Sequence, residues 1–343
     1  MLLLVIPIMD KEGLPWVELY RPRTIDNIVQ QHEIVSALKL TLTSANLPHM
    51  LFYGPPGTGK TSCALALARQ LFGPMLLKER VLELNASDER GIRVVREKIK
   101  RFAQRSISLV HNKEYPYPCP AYKIIILDEA DAMTDESQLA LRQIIEAFSG
   151  ITRFFLICNF VTRIIKQLVS RCSKYRFKQI NVNSIGIILD KICKKENIIK
   201  PPNIYETLYN VSNGDLRRAI TILQHAKYID GDHIKNSTII HISGFVPVHI
   251  IKNLINILKH VSSYNSLMKL NETLLSLNYS ISKVLISLFE YIMYDDNLTD
   301  IQKSLITIKL NDSYSNINNG ADDRIQMLYI FSFIRRIYQN LKI

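Results

Sequence analysis

The sequence predicts an α/β fold, a parallel β-sheet with flanking helices, continued by a small helical lid and a larger all-helical C-terminal part. Three observations carry this reading. Short apolar runs at 49–53, 81–85, 122–127, 153–158 and 174–177 alternate with helix-period patterns, as βα units do. A glycine-rich turn, Gly54 to Thr61, joins the first run to the helix-forming Ser62-Cys63-Ala64-Leu65-Ala66-Leu67-Ala68. Past Asn181 the strand-like runs stop and helical periodicity takes over.

In chain order, residues 1–14 read as an apolar, loose or strand-like extension, 15–181 as the α/β core, 182–231 as the lid and 232–343 as a helical domain. Asn181-Val182-Asn183-Ser184 reads as a connector with a helix cap, followed by helices near 184–196, 203–212 and 215–228. Gly231-Asp232 and Ser243-Gly244 break the pattern. Residues 247–343 then show amphipathic helices rich in Ile, Leu, Asn and Lys, with the Asn- and Ser-rich stretch 311–321 read as a polar loop. No internal repeat is found.

Bulk properties narrow the class. A chain of 343 residues with 47% apolar and 22% charged residues fits two or three ordinary globular domains. The net charge of +12 favours polyanionic partners, nucleic acid among them, although lysines serving solubility alone would give the same total. Five cysteines stand singly, without the C-x-x-C pairs of a zinc module or redox disulfide, which points to a reducing compartment. Met1 to Met9 lacks a basic leader and a cleavage site, and no later stretch approaches 18 apolar residues, so neither export nor membrane spanning is expected.

Gly54-Pro55-Pro56-Gly57-Thr58-Gly59-Lys60-Thr61, followed by Ser62, has the spacing and the strand-loop-helix setting of a phosphate-binding loop. The glycines let successive backbone N–H groups turn inward on a polyphosphate, Lys60 reaches the β and γ phosphates, and Thr61 offers a hydroxyl to Mg²⁺. The apolar run Tyr122-Lys123-Ile124-Ile125-Ile126-Leu127 has the composition of a strand buried on both faces, and it ends in Asp128-Glu129-Ala130-Asp131. Asp128 is expected in the Mg²⁺ shell and Glu129 as the base that orients the attacking water. ATP and Mg²⁺ are therefore the expected cofactors.

Further motifs narrow the class. Trp16-Val17-Glu18-Leu19-Tyr20-Arg21-Pro22, Leu84-Asn85-Ala86-Ser87-Asp88-Glu89-Arg90-Gly91-Ile92, Ser170-Arg171-Cys172 and Gly214-Asp215-Leu216-Arg217-Arg218 together resemble a small subunit of replication factor C, the eukaryotic AAA+ clamp loader. The resemblance spans roughly 15–230, and beyond it only helical character is shared. It implies an ATPase core, a helical lid and a collar domain within a nuclear hetero-oligomer, a pentamer. That assembly would open the ring-shaped sliding clamp, proliferating cell nuclear antigen, and load it on primer-template DNA in replication and repair.

The resemblance also implies roles residue by residue. Val17, Tyr20, Arg21 and Pro22 would form the wall beside adenine and ribose. Asn159 resembles the first sensor, bonding the γ-phosphate or the attacking water, and Arg217 the second, reaching in from the lid. Arg171 would serve the neighbouring subunit's nucleotide as an arginine finger, an effect worth roughly 10³ to 10⁵ in rate in other NTPases.

Between Gly91 and Gln104, Ile92, Val95, Ile99 and Phe102 form a helical apolar stripe, and Arg93, Arg96 and Lys100 share one flank beside it. With Arg90 they are the expected DNA contacts, since cations at one-turn spacing can track a phosphate backbone; a solvated face is the plain alternative. The resemblance implies a clamp contact near Phe102, Gln104, Ile107 and Tyr115-Pro116-Tyr117-Pro118, with packing under a proline-rich loop as its alternative. An unfoldase would need an aromatic-apolar-glycine loop between Asn85 and Tyr122, and a bacterial-type clamp loader often carries a four-cysteine module there; this chain has neither. A related fork-acting AAA+ ATPase, or a subunit that binds nucleotide without turning it over, remains open.

Overall fold

The computed structural model describes residues 14–44, 47–87, 92–105, 115–261, 263–277 and 279–339, with the side chains at 43–44 and 92–96 outside the described set. Residues 1–13 of the N-terminal extension and Arg90 lie outside it too. The chain divides into two compact units, Met1–Lys227 and Tyr228–Ile343.

The first unit runs α1 (Trp16–Leu19), α2 (His32–Ser44), β1 (Met50–Tyr53), α3 (Lys60–Arg80), β2 (Val81–Asn85), α4 (Ile92–Gln104), β3 (Lys123–Asp128), α5 (Asp135–Phe148), β4 (Thr152–Cys158), α6 (Lys166–Val169), β5 (Ser173–Arg176), α7 (Val182–Lys195), α8 (Ile204–Ser212) and α9 (Leu216–Asp230). The strands pair in parallel in the order β2-β3-β4-β1-β5. Side chains alternate across a strand, so each apolar run feeds two cores. Phe52, Ile124, Ile126, Phe155 and Ile157 pack with α2 and α3, while Leu51, Ile125, Leu127, Phe154 and Leu156 pack with α4, α5 and α6. A strand covered on both faces has no solvent side to encode, which is why its sequence reads as a continuous apolar run.

Register decides where the chemistry falls. Tyr53 lies opposite Cys158, and Leu127 opposite Leu156, so β1, β4 and β3 end level with one another. Whatever follows those three strands is gathered at one edge, the usual place for a ligand in a parallel sheet.

Two local features shape the layer around the sheet. α3 bends at Gly73, whose φ of 66° favours glycine, with Pro74 following. A Cβ at Gly73 would stand 2.4 Å from the Tyr115 hydroxyl, and that hydroxyl donates to the Phe72 carbonyl at 2.8 Å. The lid opens with the expected cap, the Asn181 side chain accepting the Ser184 N–H at 2.9 Å. Ile185, Leu189 and Ile192 of α7, Leu208 and Val211 of α8, and Ala219 and Leu223 of α9 are buried.

The second unit continues with α10 (Asn236–Ser243), α11 (Val248–His260), α12 (Tyr264–Ser276), α13 (Ile281–Met293), α14 (Asp300–Asn318) and α15 (Asp323–Tyr338). Helices α11 to α15 close on one core in which Leu258, Val284, Leu288, Ile306, Phe331 and Ile334 are buried. The breaks at 231 and 244 appear as left-handed glycines, φ 70° and 60°. The expected polar loop at 311–321 is overturned, because α14 runs on to Asn318. Leu310, Tyr314 and Ile317 recur at helical spacing and pack on the core, with Ser313 fully buried among them; that stripe outweighs the intervening asparagines and serines. Among the described residues no single helix is long and apolar enough to cross a membrane.

Candidate nucleotide site

At the level ends of β1, β3 and β4 the structure brings five polar residues together. Lys60, the first residue of α3, is buried, and its ammonium donates to the carbonyls of Gly54 and Pro55 and to the Asn159 side-chain oxygen, each at 2.8 Å. The Thr61 hydroxyl donates to Asp128 Oδ2 at 2.7 Å, and Asp128 Oδ1 accepts the Glu129 N–H at 2.9 Å. Asp131 Oδ2 accepts the backbone N–H groups of Asn159 and Phe160, both at 3.1 Å. Burial pulls the Lys60 ammonium below its usual range, and the charges of Asp128, Asp131 and Asp215 oppose that shift.

The loop itself has little room. A Cβ on Gly54 would stand 2.3 Å from the Phe177 carbonyl oxygen, and one on Gly57 1.9 Å from an Asp215 carboxylate oxygen. Both glycines also hold positive φ, 142° and 69°, so side chains are excluded twice over. Pro55 and Pro56 are exposed, the Thr58 hydroxyl donates to the Pro55 carbonyl at 2.9 Å, and Gly59 enters α3 in the left-handed conformation. Thr61 and Ser62 are half-buried in the first turn of α3. Glu129 is exposed and left-handed, φ 53°, a rare conformation for a non-glycine residue that costs of order 1 kcal/mol and is characteristic of functional turns.

The lid and the N-terminal segment reach the same neighbourhood. Asp215 caps α9 by accepting the Arg218 N–H at 3.2 Å, and it is the group that crowds Gly57. Arg217, in the first turn of α9, is exposed with no ion-pair partner among the described residues. Val17 and Pro22 are half-buried, and Arg21 pairs with Glu18 at 3.2 Å. The Tyr20 hydroxyl donates to Glu196 at the end of α7, while Trp16 meets the Tyr20 ring edge-on and the Lys195 ammonium lies 5.5 Å from its centre. Burial, followed by Glu196, pushes the Tyr20 phenol well above its usual range. Tyr20 therefore ties the N-terminal segment to the lid.

Other expected residues stand apart from this cluster. Arg171 follows α6, is partly exposed, and pairs with Glu146 of α5, with a second bond to the Gln167 carbonyl at 3.0 Å. In α4, Lys100 is exposed, Arg93 and Arg96 are helical, and Arg101 pairs with Glu97 at 3.1 Å. Phe102, expected both in the apolar stripe and at a clamp contact, belongs to the core and is corrected for the second role. Tyr115 and Tyr117 are only half-exposed, their rings 5.2 Å apart over the Gly73 bend, and Ile107 lies outside the described residues.

Three residues escaped the sequence reading. In the sequence Asp131 is only the last residue of an acidic motif. Glu196 carried no signal beyond being a charged residue near a helix end. Lys123, buried at the start of β3, donates to the Phe102 carbonyl at 2.7 Å and to that of Arg105, its ammonium 5.2 Å from the Phe102 ring centre. It caps the C-terminus of α4, and a lysine before an apolar run was the one available hint.

Residues 50–180 match the family model for the ATPase family associated with various cellular activities (AAA), 187–228 the RCF1/5-like AAA+ ATPase lid domain, and 246–332 the replication factor C C-terminal domain. The chain is 46% identical over 325 residues to replication factor C subunit 2 of Schizosaccharomyces pombe, covering 94% of each. It is 44% identical to replication factor C subunit 4 of Homo sapiens, covering 95% of this chain and 90% of that one. Among solved structures, the Thermotoga maritima RuvB Holliday junction branch migration motor superposes with a TM-score of 0.50 at 18% identity, covering 78% of this chain and 90% of that one; this likeness concerns the fold alone. Three successive family matches and full-length relatives place the chain in one group: it belongs to the replication factor C small subunits, a family of AAA+ ATPases.

Proposed function

We propose that this chain is an ATP-hydrolysing small subunit of a clamp loader, which opens a sliding clamp and places it on primer-template DNA in nuclear replication and repair. The observation that carries the reading is the convergence of Lys60, Thr61, Asp128 and Asn159 at the level ends of β1, β3 and β4. Lys60 meets the β and γ phosphates, whose negative charge offsets the burial of its ammonium group. The backbone N–H groups of Gly57 to Ser62 cradle the phosphate chain, and the N-terminus of α3 adds its dipole.

The hydroxyl–carboxylate pair Thr61–Asp128 fits Mg²⁺, which favours a few oxygen ligands completed by phosphate and water over an all-protein cage. Among the described residues no group of three or more His, Cys, Asp or Glu forms such a cage. An ion held there would supply positive charge to offset that of the β and γ phosphates. Glu129, held outward by its left-handed backbone, takes the proton of the attacking water, and Asn159 orients that water or the γ-phosphate. Val17, Tyr20, Arg21 and Pro22 border the base, and Arg217 reaches the phosphates from the lid. Arg171 completes the neighbouring subunit's site, so hydrolysis depends on assembly.

The proposed division of labour follows the fold: 15–181 as ATPase core, 182–231 as lid and 232–343 as the collar that joins subunits, in an assembly of five. Arg90, Arg93, Arg96 and Lys100 track the DNA backbone. The test is to assemble the chain with the other replication factor C subunits, measure the native mass, and follow clamp loading on primed DNA with every other ATP site disabled. Glu129→Gln is expected to retain ATP binding while slowing turnover by about 10²–10⁴-fold. Equal hydrolysis by mutant and parent, or a chain that stays monomeric with all partners present, refutes the reading.

A further inference from the structure

Asp131 closes the acidic motif, yet neither phosphate binding nor the Mg²⁺ shell uses it. Its Oδ2 accepts two consecutive N–H groups, those of Asn159 and Phe160, at 3.1 Å each. Both residues lie beyond Cys158, the last paired residue of β4, where the strand ladder no longer supplies acceptors. Asn159 in turn accepts from the Lys60 ammonium at 2.8 Å. The carboxylate sits in the short turn Ala130–Ala132 that follows the left-handed Glu129, and that turn is closed by the Ala132 N–H on the Glu129 carbonyl at 2.9 Å. A single anionic oxygen thus pins the end of β4 to the turn leaving β3, with charge-assisted bonds on adjacent donors.

Resting on the assignment of Asn159 to the γ-phosphate, we propose that Asp131 is the positioning residue for Asn159: it sets where that amide points, and turnover depends on it although it touches no substrate. The backbone of Asn159 is held from one side by Asp131 and its side chain from the other by Lys60. Removing the carboxylate frees two backbone N–H groups to seek water and lets the strand end drift. A shift on the order of 1 Å at a reacting group costs about 10²-fold in rate. Because the grip is on the backbone, nucleotide affinity, set by the glycine loop, Lys60 and the Thr61–Asp128 pair, stays in place.

The test uses the assembled complex with the other ATP sites disabled, and reads single-site kcat and ATP Kd separately. Asp131→Ala is expected to lower kcat about 10–100-fold and leave Kd within about twofold. Asp131→Asn, which keeps an oxygen in the same place, should restore most of the rate; a charge effect of Asp131 on the ion or on Lys60 would leave it as slow as the alanine variant. In an Asn159→Ala background, Asp131→Ala should add little further loss, because residues acting as one unit are not additive. Full turnover by Asp131→Ala alongside a slow Asn159→Ala overturns the inference alone, as does an additive double mutant. Full turnover by Asn159→Ala removes the sensor reading itself.

Discussion

Polar groups converge in the first unit and disperse in the second. Lys60, Asn159 and Asp131 form one hydrogen-bonded run and Thr61 and Asp128 a second, side by side at the ends of three neighbouring strands and next to Glu129, which is held in a strained conformation. In the second unit, Asn271 donates to the Arg324 carbonyl at 3.1 Å, and Asp295 is held by Tyr338 at 2.6 Å, by Asn297 and by Lys259. Most of the remaining core of that unit is Ile, Leu, Val, Phe and Met at helical spacing. Charge gathered in one corner costs desolvation and favours a ligand that cancels it, whereas isolated polar groups set within an apolar interior serve its packing. The first pattern marks chemistry and the second marks architecture.

The strongest way to test that division is to remove Arg171. Arg171→Ala is expected to slow hydrolysis in the adjoining subunit by roughly 10³–10⁵-fold, measured with a single competent site. ATP affinity in this chain should hold, and its stability should fall by no more than about 1 kcal/mol, the worth of a partly exposed ion pair. A large stability loss with no rate effect next door would assign Arg171 to architecture and break the comparison.

The reverse experiment is Phe331→Ala in the second unit. Phe331 is fully buried, and its truncation should cost about 3–5 kcal/mol. The chain's single tryptophan, Trp16, lies in the first unit, so its fluorescence follows that unit while far-ultraviolet circular dichroism follows both. A urea titration should show the dichroism midpoint shifting and the tryptophan midpoint staying put. A joint shift would mean that the two units unfold as one.

Acid sharpens the contrast with a smaller effect. His49 accepts the Phe154 N–H at 3.2 Å, and burial, aided by Arg153, lowers its pKa from 6.5 to about 4. The native state thus refuses a proton that the unfolded chain accepts, so this contribution is present above pH 6.5 and is lost as pH falls toward about 4. Burial raises the Asp295 pKa, but the bonds from Tyr338 and Asn297 and the charge of Lys259 outweigh it and bring it to about 2. That contribution survives until pH drops below 3.8 and disappears toward about 2. The tryptophan-reported midpoint should therefore decline between pH 7 and 4.5, and His49→Gln, neutral throughout, should flatten the decline. Equal slopes for both variants would remove His49 as the cause.

Much of the first unit was legible because its signals are local. The loop from Gly54 to Thr61 combines spacing with flanking elements, the run before Asp128 is apolar on both faces, and Asn181 caps its own helix. The stretch 311–321 has the Asn and Ser content of a loop, yet it is helical as far as Asn318 because Leu310, Tyr314 and Ile317 find their contacts on other helices. Phe102 could be assigned to two surfaces until Lys123 and the sheet claimed it. The bond between Asp131 and Asn159 spans 28 positions, and that between Tyr20 and Glu196 spans 176, so no local pattern announces either.

Which residues can hold a triphosphate is written in the chain alone, because glycines, a lysine and a carboxylate at set spacing are a chemical requirement that needs no neighbours to be stated. So is the alternation of strands and helices, since burial on both faces or on one stripe shows in side-chain period. Only the tertiary structure decided that three strands end level, that Asp215 closes against Gly57, and that Asp131 holds the backbone of Asn159. Those are matters of register and distance between segments remote in the chain, and hydrogen bonds act over about 3 Å in space whatever the separation in sequence.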